Sequence, residues 1–357
     1  MKLLNLGCGD RYHPDWVNVD LHSGNPAVLA HDLKEKLPFE DDFFDVVYHS
    51  HVQEHLPKIY VPMFFHECFR ILKPGGIIRL VIPDLEQIAR IYLELLERAL
   101  QNDKVAQERY DWIMLEMLDQ IARNQSGGEM LKYWMQNPMP AEDYVIARVG
   151  SEVVTVINQL RHSPDDKRSG EGPTYYEEDY DSIGRFRLSG EVHQWMYDRY
   201  SLKMLLTSAG FDNAKQCRAD ESAIQGFNDY FLDTERDGSV RKPDSLFMEA
   251  KKPLQESNSD RMARLDAIRK LDPQLKEILM GRGTKKSLIA QLEAQLKEIE
   301  ADRAAQLEVI QSLDAQLKIN SQYISQIEGK LEEIRSSRIW KLIAPLRWIR
   351  RNFFTRK

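Results

Sequence analysis

Lys2-Leu3-Leu4-Asn5-Leu6-Gly7-Cys8-Gly9-Asp10 decides how the chain folds as far as about Lys252. It reads as a short apolar strand, with Leu3, Leu4 and Leu6 for the core, running into a glycine turn. Gly7 and Gly9 let the backbone turn tightly and let a ligand approach it closely. A dinucleotide fingerprint needs a third glycine three positions after Gly9, opening a helix that holds a pyrophosphate. That position is Tyr12. The next strand, Trp16-Val17-Asn18-Val19-Asp20, arrives too soon for a full crossover helix. A ligand without phosphates fits better, lying over the C-terminal edge of a sheet. Asp20, ending that second strand, can accept hydrogen bonds from two ribose hydroxyls.

Further strands follow at Ala27 to Leu33, Phe43 to Tyr48 and Ile77 to Ile82, then at Asn213 to Cys217 and Leu246 to Ala250. Asp32 offers a hydrogen-bond acceptor at the end of that stretch; the alternative is an Asp capping the next turn. His49-Ser50-His51 and Glu54-His55 are expected just past the fourth strand, where doubly wound sheets place ligands. They are candidate proton acceptors, or simply residues that shape the loop. No carboxylate–histidine set has clear ligand spacing, so no metal is expected. Val61 to Leu72 has one apolar helical face and should stop at Lys73-Pro74-Gly75-Gly76. Asp84 closes the fifth strand, either as a group gripping substrate or as the N-cap of the next helix.

NLGCGD, NVD, DLKEKLPFEDDFFDVVYHSHVQEHL and RILKPGG, in that order, resemble a class I S-adenosylmethionine-dependent methyltransferase of the bacterial type 11 kind. The likeness covers roughly residues 1–84 and 190–252. It implies an α/β fold: a Rossmann-like, doubly wound, seven-stranded sheet with a helical lid inserted over residues 85–189. It implies S-adenosylmethionine as cofactor, held by Asn5, Gly7, Gly9, Asp20, Asp32, Leu33 and His49. Asn5 stands where the family usually has an acid, and Arg11 where it has a third glycine. Asp119 and Arg123, four apart on one helix face before Gly127-Gly128, resemble a motif of the family's lid; a surface salt bridge is the plain alternative. Residues 163–189 are rich in Pro, Gly, Asp and Tyr and read as a loop over the pocket. His193, in an H-x-x-x-Y-D arrangement, is the leading candidate for general base, ahead of Asp84 and His55. Its alternative is a histidine packed under the lid.

After a polar linker over 253–284 the period changes. From Ile289 the a and d positions run Ile289, Leu292, Leu296, Ile299, Arg303, Gln306, Ile310, Leu313, Leu317, Asn320, Ile324, Ile327, Leu331 and Ile334. Eleven of these fourteen are apolar, which predicts a long coiled-coil helix over 285–335 and a homo-oligomer. Residues 336–357 carry seven Lys/Arg, four aromatics and no acid. Such a tail suits an anionic membrane surface. It also resembles tails that follow coiled coils in enzymes of bacterial surface-polysaccharide assembly, which implies a lipid-linked glycan as methyl acceptor.

The whole chain of 357 residues carries −7; removing the tail's seven positive charges leaves −14, so nucleic acid is not an expected partner of the main domain. Cys8, Cys68 and Cys217 have no paired spacing, no charged-then-apolar leader precedes the first strand, and no run of 18 apolar residues occurs. The expected place is the cytoplasm, peripheral on the inner face of the membrane. Two other readings stay open at this point: a methyltransferase for a small phenol, quinone or protein, and a scaffold that binds cofactor without turnover.

Overall fold

The computed structural model describes residues 1–162, 179–255 and 306–337, with six single helical positions between 259 and 297. The chain divides into two units, Met1–Leu275 and Lys276–Lys357.

The first unit is built on seven strands: β1 (Leu3–Leu6), β2 (Val17–Asp20), β3 (Val28–Ala30), β4 (Phe44–Ser50), β5 (Leu72–Pro83), β6 (Asp212–Cys217) and β7 (Ser245–Lys251). Their order in the sheet is β3-β2-β1-β4-β5-β7-β6. β1 to β5 are parallel, and β7 lies antiparallel between β5 and β6. Strand order reverses between β1 and β4, so the loops after those two strands diverge and leave a crevice.

One face of the sheet is covered by α1 (Val61–Ile71) and, late in the chain, a helix over Arg199–Ser208. Phe64, Phe65 and Phe69 of α1, with Leu202 and Leu206, pack on Leu4, Leu6, Val47 and Leu80. The other face is covered differently. The connections from β1 to β4 contain no helix. Trp16, Phe227 and Leu232 cover that face instead, packed on Tyr48, Val81 and Phe247. Phe227 lies in the segment joining β6 to β7.

That segment is anchored by Arg79, a lone cation in the apolar run of β5. Arg79 is fully buried. Its guanidinium meets Asp233 Oδ2 at 2.6 Å and Glu249 Oε1 at 2.8 Å, and donates to the carbonyls of Arg218, Ala219 and Glu221. Tyr48 Oη donates to Asp233 Oδ1 at 2.6 Å. All of the guanidinium's donors are therefore satisfied, as a charge in the interior requires.

Three boundaries differ from expectation. α1 ends at Ile71 and β5 begins at once, so Lys73–Gly76 is a bulge rather than a stop: the register steps from Phe44↔Leu72 to Val46↔Ile77. β4 continues to Ser50, which makes His49 a strand residue. The region read as a loop contains a helix, Tyr180–Arg187; residues 163–178 lie outside the described residues.

The lid is helical, as expected: α2 (Leu85–Leu100), α3 (Lys104–Ala122), α4 (Gly128–Trp134), α5 (Glu142–Val149), α6 (Ser151–His162) and α7 (Tyr180–Arg187), before α8 (Arg199–Ser208) returns to the core. It has an apolar centre of its own around Trp112, Met130, Tyr133 and Val145. Asp119 and Arg123 pair, and Arg123 also reaches Glu191 Oε1 at 3.2 Å. Glu129 N donates to Asp119 Oδ1 at 2.7 Å and Gly127 N to Glu191 Oε1 at 3.0 Å. The motif thus ties α3 and α4 to the segment that carries His193.

In the second unit, residues 306–336 form one unbroken helix. Ile310, Leu313, Leu317, Ile324, Ile327, Leu331 and Ile334 are between 43% and 65% exposed along it. Residues 285–296, 298–305 and the tail after 337 lie outside the described residues.

Candidate cofactor and acceptor site

A cavity of about 360 Å³ occupies the crevice between the ends of β1 and β4. Asn5, Gly7 and Gly9 line it from β1, and Tyr48, Ser50, His51 and His55 from β4. The volume falls in the roughly 300–1,000 Å³ span of small-molecule sites.

The glycine turn is shaped by its neighbours. Gly7 has φ +63°, and a Cβ there would stand 2.3 Å from Val52 Cγ2. Gly9 has φ +51°, with nothing within 4 Å of where its Cβ would be. The first glycine is needed for close approach inside the protein, the second leaves open space on the cavity side. Asn5, buried, donates through Nδ2 to Arg11 O at 3.0 Å and to Asn18 Oδ1 at 3.3 Å. It fixes the turn, a task that needs an amide donor and that an acid could not perform. Gly9 N donates to Asp20 Oδ2 at 2.8 Å. Asp20 therefore sits beside the turn with acceptor capacity left on Oδ1, and the residues fit a nucleoside whose ribose hydroxyls donate. No helix follows the turn, so no set of helix amides is available for a diphosphate.

Other expected contacts fall elsewhere. Asp32 accepts from Lys34 N at 2.9 Å and pairs with Lys34 Nζ at 3.1 Å, the capping alternative. Leu33 is in the core with Leu6 and Val19. His49 does not line the cavity: its ring lies edge-on to Phe64 and Phe65, fully buried, with neither nitrogen partnered. Burial pushes its pKa down to about 3. Asp84 is the N-cap of α2, accepting from Gln87 N at 3.1 Å, and burial raises its pKa.

His49 gives a pH prediction. It is neutral in the core and charged in the unfolded chain below pH 6.5, so its contribution is intact above that pH. It is lost as pH falls from 6.5 toward 3. At pH 5 the loss is about 2 kcal/mol. His49→Leu removes two unpartnered nitrogens at similar volume. Urea unfolding of the variant should show equal or higher stability at pH 7 and a drop between pH 7 and 5 smaller by that amount. Equal drops in both proteins would show that His49 is hydrated or charged when folded.

His51 and His55 line the cavity, whereas His193, the leading sequence candidate for the base, does not line it and packs against His55. His51 closes β4 in the left-handed region, φ +56°, a strained conformation for a non-glycine residue. Its Nε2 is 2.9 Å from Ser245 Oγ. The rings of His55 and His193 meet edge to face, 4.7 Å between centroids. His193 N donates to Gln120 O at 2.9 Å, and Gln194 N to Glu54 O at 2.6 Å, which clamps the lid's return segment on the turn after β4. Burial holds His55 down to about 4 and His193 well below the usual imidazole range. Both are neutral at pH 7 and able to accept a proton.

Residues 4–80 match the family model described as "Methyltransferase domain". Over those residues the chain carries a methyltransferase domain, in line with the class I S-adenosylmethionine-dependent resemblance of its motifs. No curated protein matches it. Solved structures similar to it include a SAM-dependent methyltransferase from Archaeoglobus fulgidus, at 14% identity over 70% of this chain and 86% of that one, TM-score 0.30. Another, from Methanosarcina mazei, has 15% identity over 71% and 93%, TM-score 0.30. The methyltransferase domain is an enzyme domain and its cofactor is S-adenosylmethionine.

Two things about the site were missed in the sequence. Arg241 and Lys242 also line the cavity, brought there by the segment that Arg79 anchors. No local signal announces them. Arg79 itself had a signal, a single charge inside a strand read as central.

Proposed function

We propose that the methyltransferase domain methylates a hydroxyl oxygen of a glycan carried on a lipid, at the inner face of the membrane, with several copies gathered by the C-terminal helix. The observation that carries the glycan reading is a second cavity of about 870 Å³ that shares Asp10, Arg11 and Leu232 with the first. Tyr12, His13 and Tyr230 line it beside Glu235, Arg236 and Asp237. Aromatic faces next to paired donors and acceptors suit a sugar ring, which is apolar on one face and ringed by hydroxyls.

S-adenosylmethionine, when bound, supplies an activated methyl group on a sulfonium. The protein then has to align the acceptor oxygen, shield it and take one proton. Gly7 and Gly9 keep the backbone low under the nucleoside. Asp20 accepts from the ribose. The lid excludes water. His55, neutral and facing the cavity, is placed to take the hydroxyl proton, with His193 packed behind it.

The exposed seam of the 306–336 helix supports self-association. Seven large apolar side chains at a and d stand open to water and find cover by packing against copies of themselves. The basic aromatic tail supports membrane residence. Among the described residues no helix is long and apolar enough to cross a membrane. Tethering raises the local concentration of a membrane-bound acceptor.

The test is to incubate the full chain, and a chain ending at residue 335, with methyl-tritiated S-adenosylmethionine and bacterial membranes. Label should enter a lipid-extractable glycan and fall about tenfold or more without the tail. Label in small phenols, quinones or protein, or equal labelling by both chains, would overturn the proposal.

A further inference from the structure

We infer that Glu54, His55 and His193 form a binding site for a divalent transition-metal ion at the wall of the cofactor cavity. One ligand atom from each lies within 4.8 Å of the others. Glu54 and His55 come from the turn after β4, His193 from the segment that returns from the lid. No sequence spacing announces the set, because the lid separates its members.

Two observations point to a ligand. The Glu54 side chain is 1% exposed, and neither of its oxygens has a hydrogen-bond partner. His51 Nδ1 stands 3.3 Å from Oε1 without making a hydrogen bond. A buried carboxyl group in this state is costly, burial pushing its pKa up to about 8, and a coordinated cation is a standard way to satisfy it. His55 Nδ1 is likewise buried and unpartnered. The second observation is the clamp. Hydrogen bonds from His193 N to Gln120 O and from Gln194 N to Glu54 O hold the two segments together at the backbone. The three side chains are thus carried on backbone segments fixed to one another.

Two imidazoles and one carboxylate suit Zn²⁺, Mn²⁺, Fe²⁺ or Co²⁺ better than Mg²⁺ or Ca²⁺, which take oxygen ligands. Three protein ligands leave a coordination position open, as in catalytic metal sites. His55 lines the cofactor cavity, so a metal held by it would border that cavity. Its catalytic role, though not the binding itself, rests on the methyl-transfer reading. The acceptor hydroxyl would bind the metal through oxygen and lose its proton to solvent. The oxygen's electron pair would form the bond to the methyl carbon as the carbon–sulfur bond breaks, leaving S-adenosylhomocysteine. His55 would then be a ligand and not the proton acceptor.

The test uses the full chain freed of metal with chelator and titrated with Co²⁺. The wild type should take up one equivalent, develop visible ligand-field absorption and melt at a higher temperature. Glu54→Gln and His193→Gln should bind at least about 100-fold more weakly while still giving heat with S-adenosylmethionine. Should both variants fail to fold, the wild-type melting shift and its reversal by chelator decide alone. No stoichiometric uptake by the wild type, or equal uptake by the folded variants, overturns the site. A wild type that binds Co²⁺ but transfers methyl equally well without any metal would remove the catalytic role and leave His55 as the base.

Discussion

Arg79→Met should lower the unfolding free energy by about 3–5 kcal/mol, the cost of leaving buried charges without their partner. Asp233 and Glu249 are 3% and 2% exposed, and both lean on the one guanidinium. Glu249 faces Arg79 directly across the β5–β7 ladder. The same guanidinium also takes three carbonyls of the segment after β6, so the change strips a whole connection of its anchor. Leu232, Arg241 and Lys242 reach the cavity from that connection, and cofactor affinity should fall together with stability. Adding Asp233→Asn and Glu249→Gln to the variant removes the orphaned charges and should recover part of the loss. Urea midpoints of the three proteins measure this. A loss under about 1 kcal/mol would mean that water reaches the network and shares its charge.

The second large effect is expected at the glycine turn. Gly7→Ala places a methyl group 2.3 Å from Val52 Cγ2 and keeps the residue at φ +63°. The backbone term alone costs about 1–2 kcal/mol. The clash has no soft exit, since Val52 is 7% exposed and opens the turn that carries Glu54 and His55. The turn must move away from Gly7 and widen the cavity at the place where the nucleoside rests. Affinity for S-adenosylhomocysteine should drop roughly 100-fold, because a displacement of about an ångström in a positioning element has effects of that size. Val52→Ala in the same chain removes the clashing methyl and should restore most of the affinity, with the backbone cost remaining. Unchanged affinity in the single variant would mean that the turn is plastic and does not set the cavity.

What could be read from the sequence was set by short-range physics. Leu3 to Leu6 had to be a strand and Gly7 to Gly9 a turn, since no other local conformation uses those residues well. The apolar period of Ile310 to Ile334 is equally local. The errors came where a single boundary or a distant partner decides. Ending β4 at Tyr48 made His49 a loop residue. Two more strand positions put it on the Val47 face, against Phe64 and Phe65, because side chains alternate strictly. Lys73-Pro74-Gly75-Gly76 has the composition of a stop and is used as a bulge, held by Gly75 N to Lys252 O and Lys252 N to Gly76 O, both 2.9 Å. The sheet's second face, the Arg79 network and the meeting of Glu54 with His193 are products of tertiary packing. Asp84 and Asp32 each had a capping alternative, and in both the cap is what the backbone uses.

Calorimetric titration of S-adenosylmethionine into the wild type and into Asp20→Ala tests the central claim most directly, that the turn between Gly7 and Gly9 and the acid beside it seat the nucleoside. The wild type should bind one equivalent per chain, and Asp20→Ala, folded by circular dichroism, should bind at least about tenfold more weakly, as for a lost hydrogen bond to a charged group. Absence of heat in the wild type, or equal affinities in the two proteins, would contradict it.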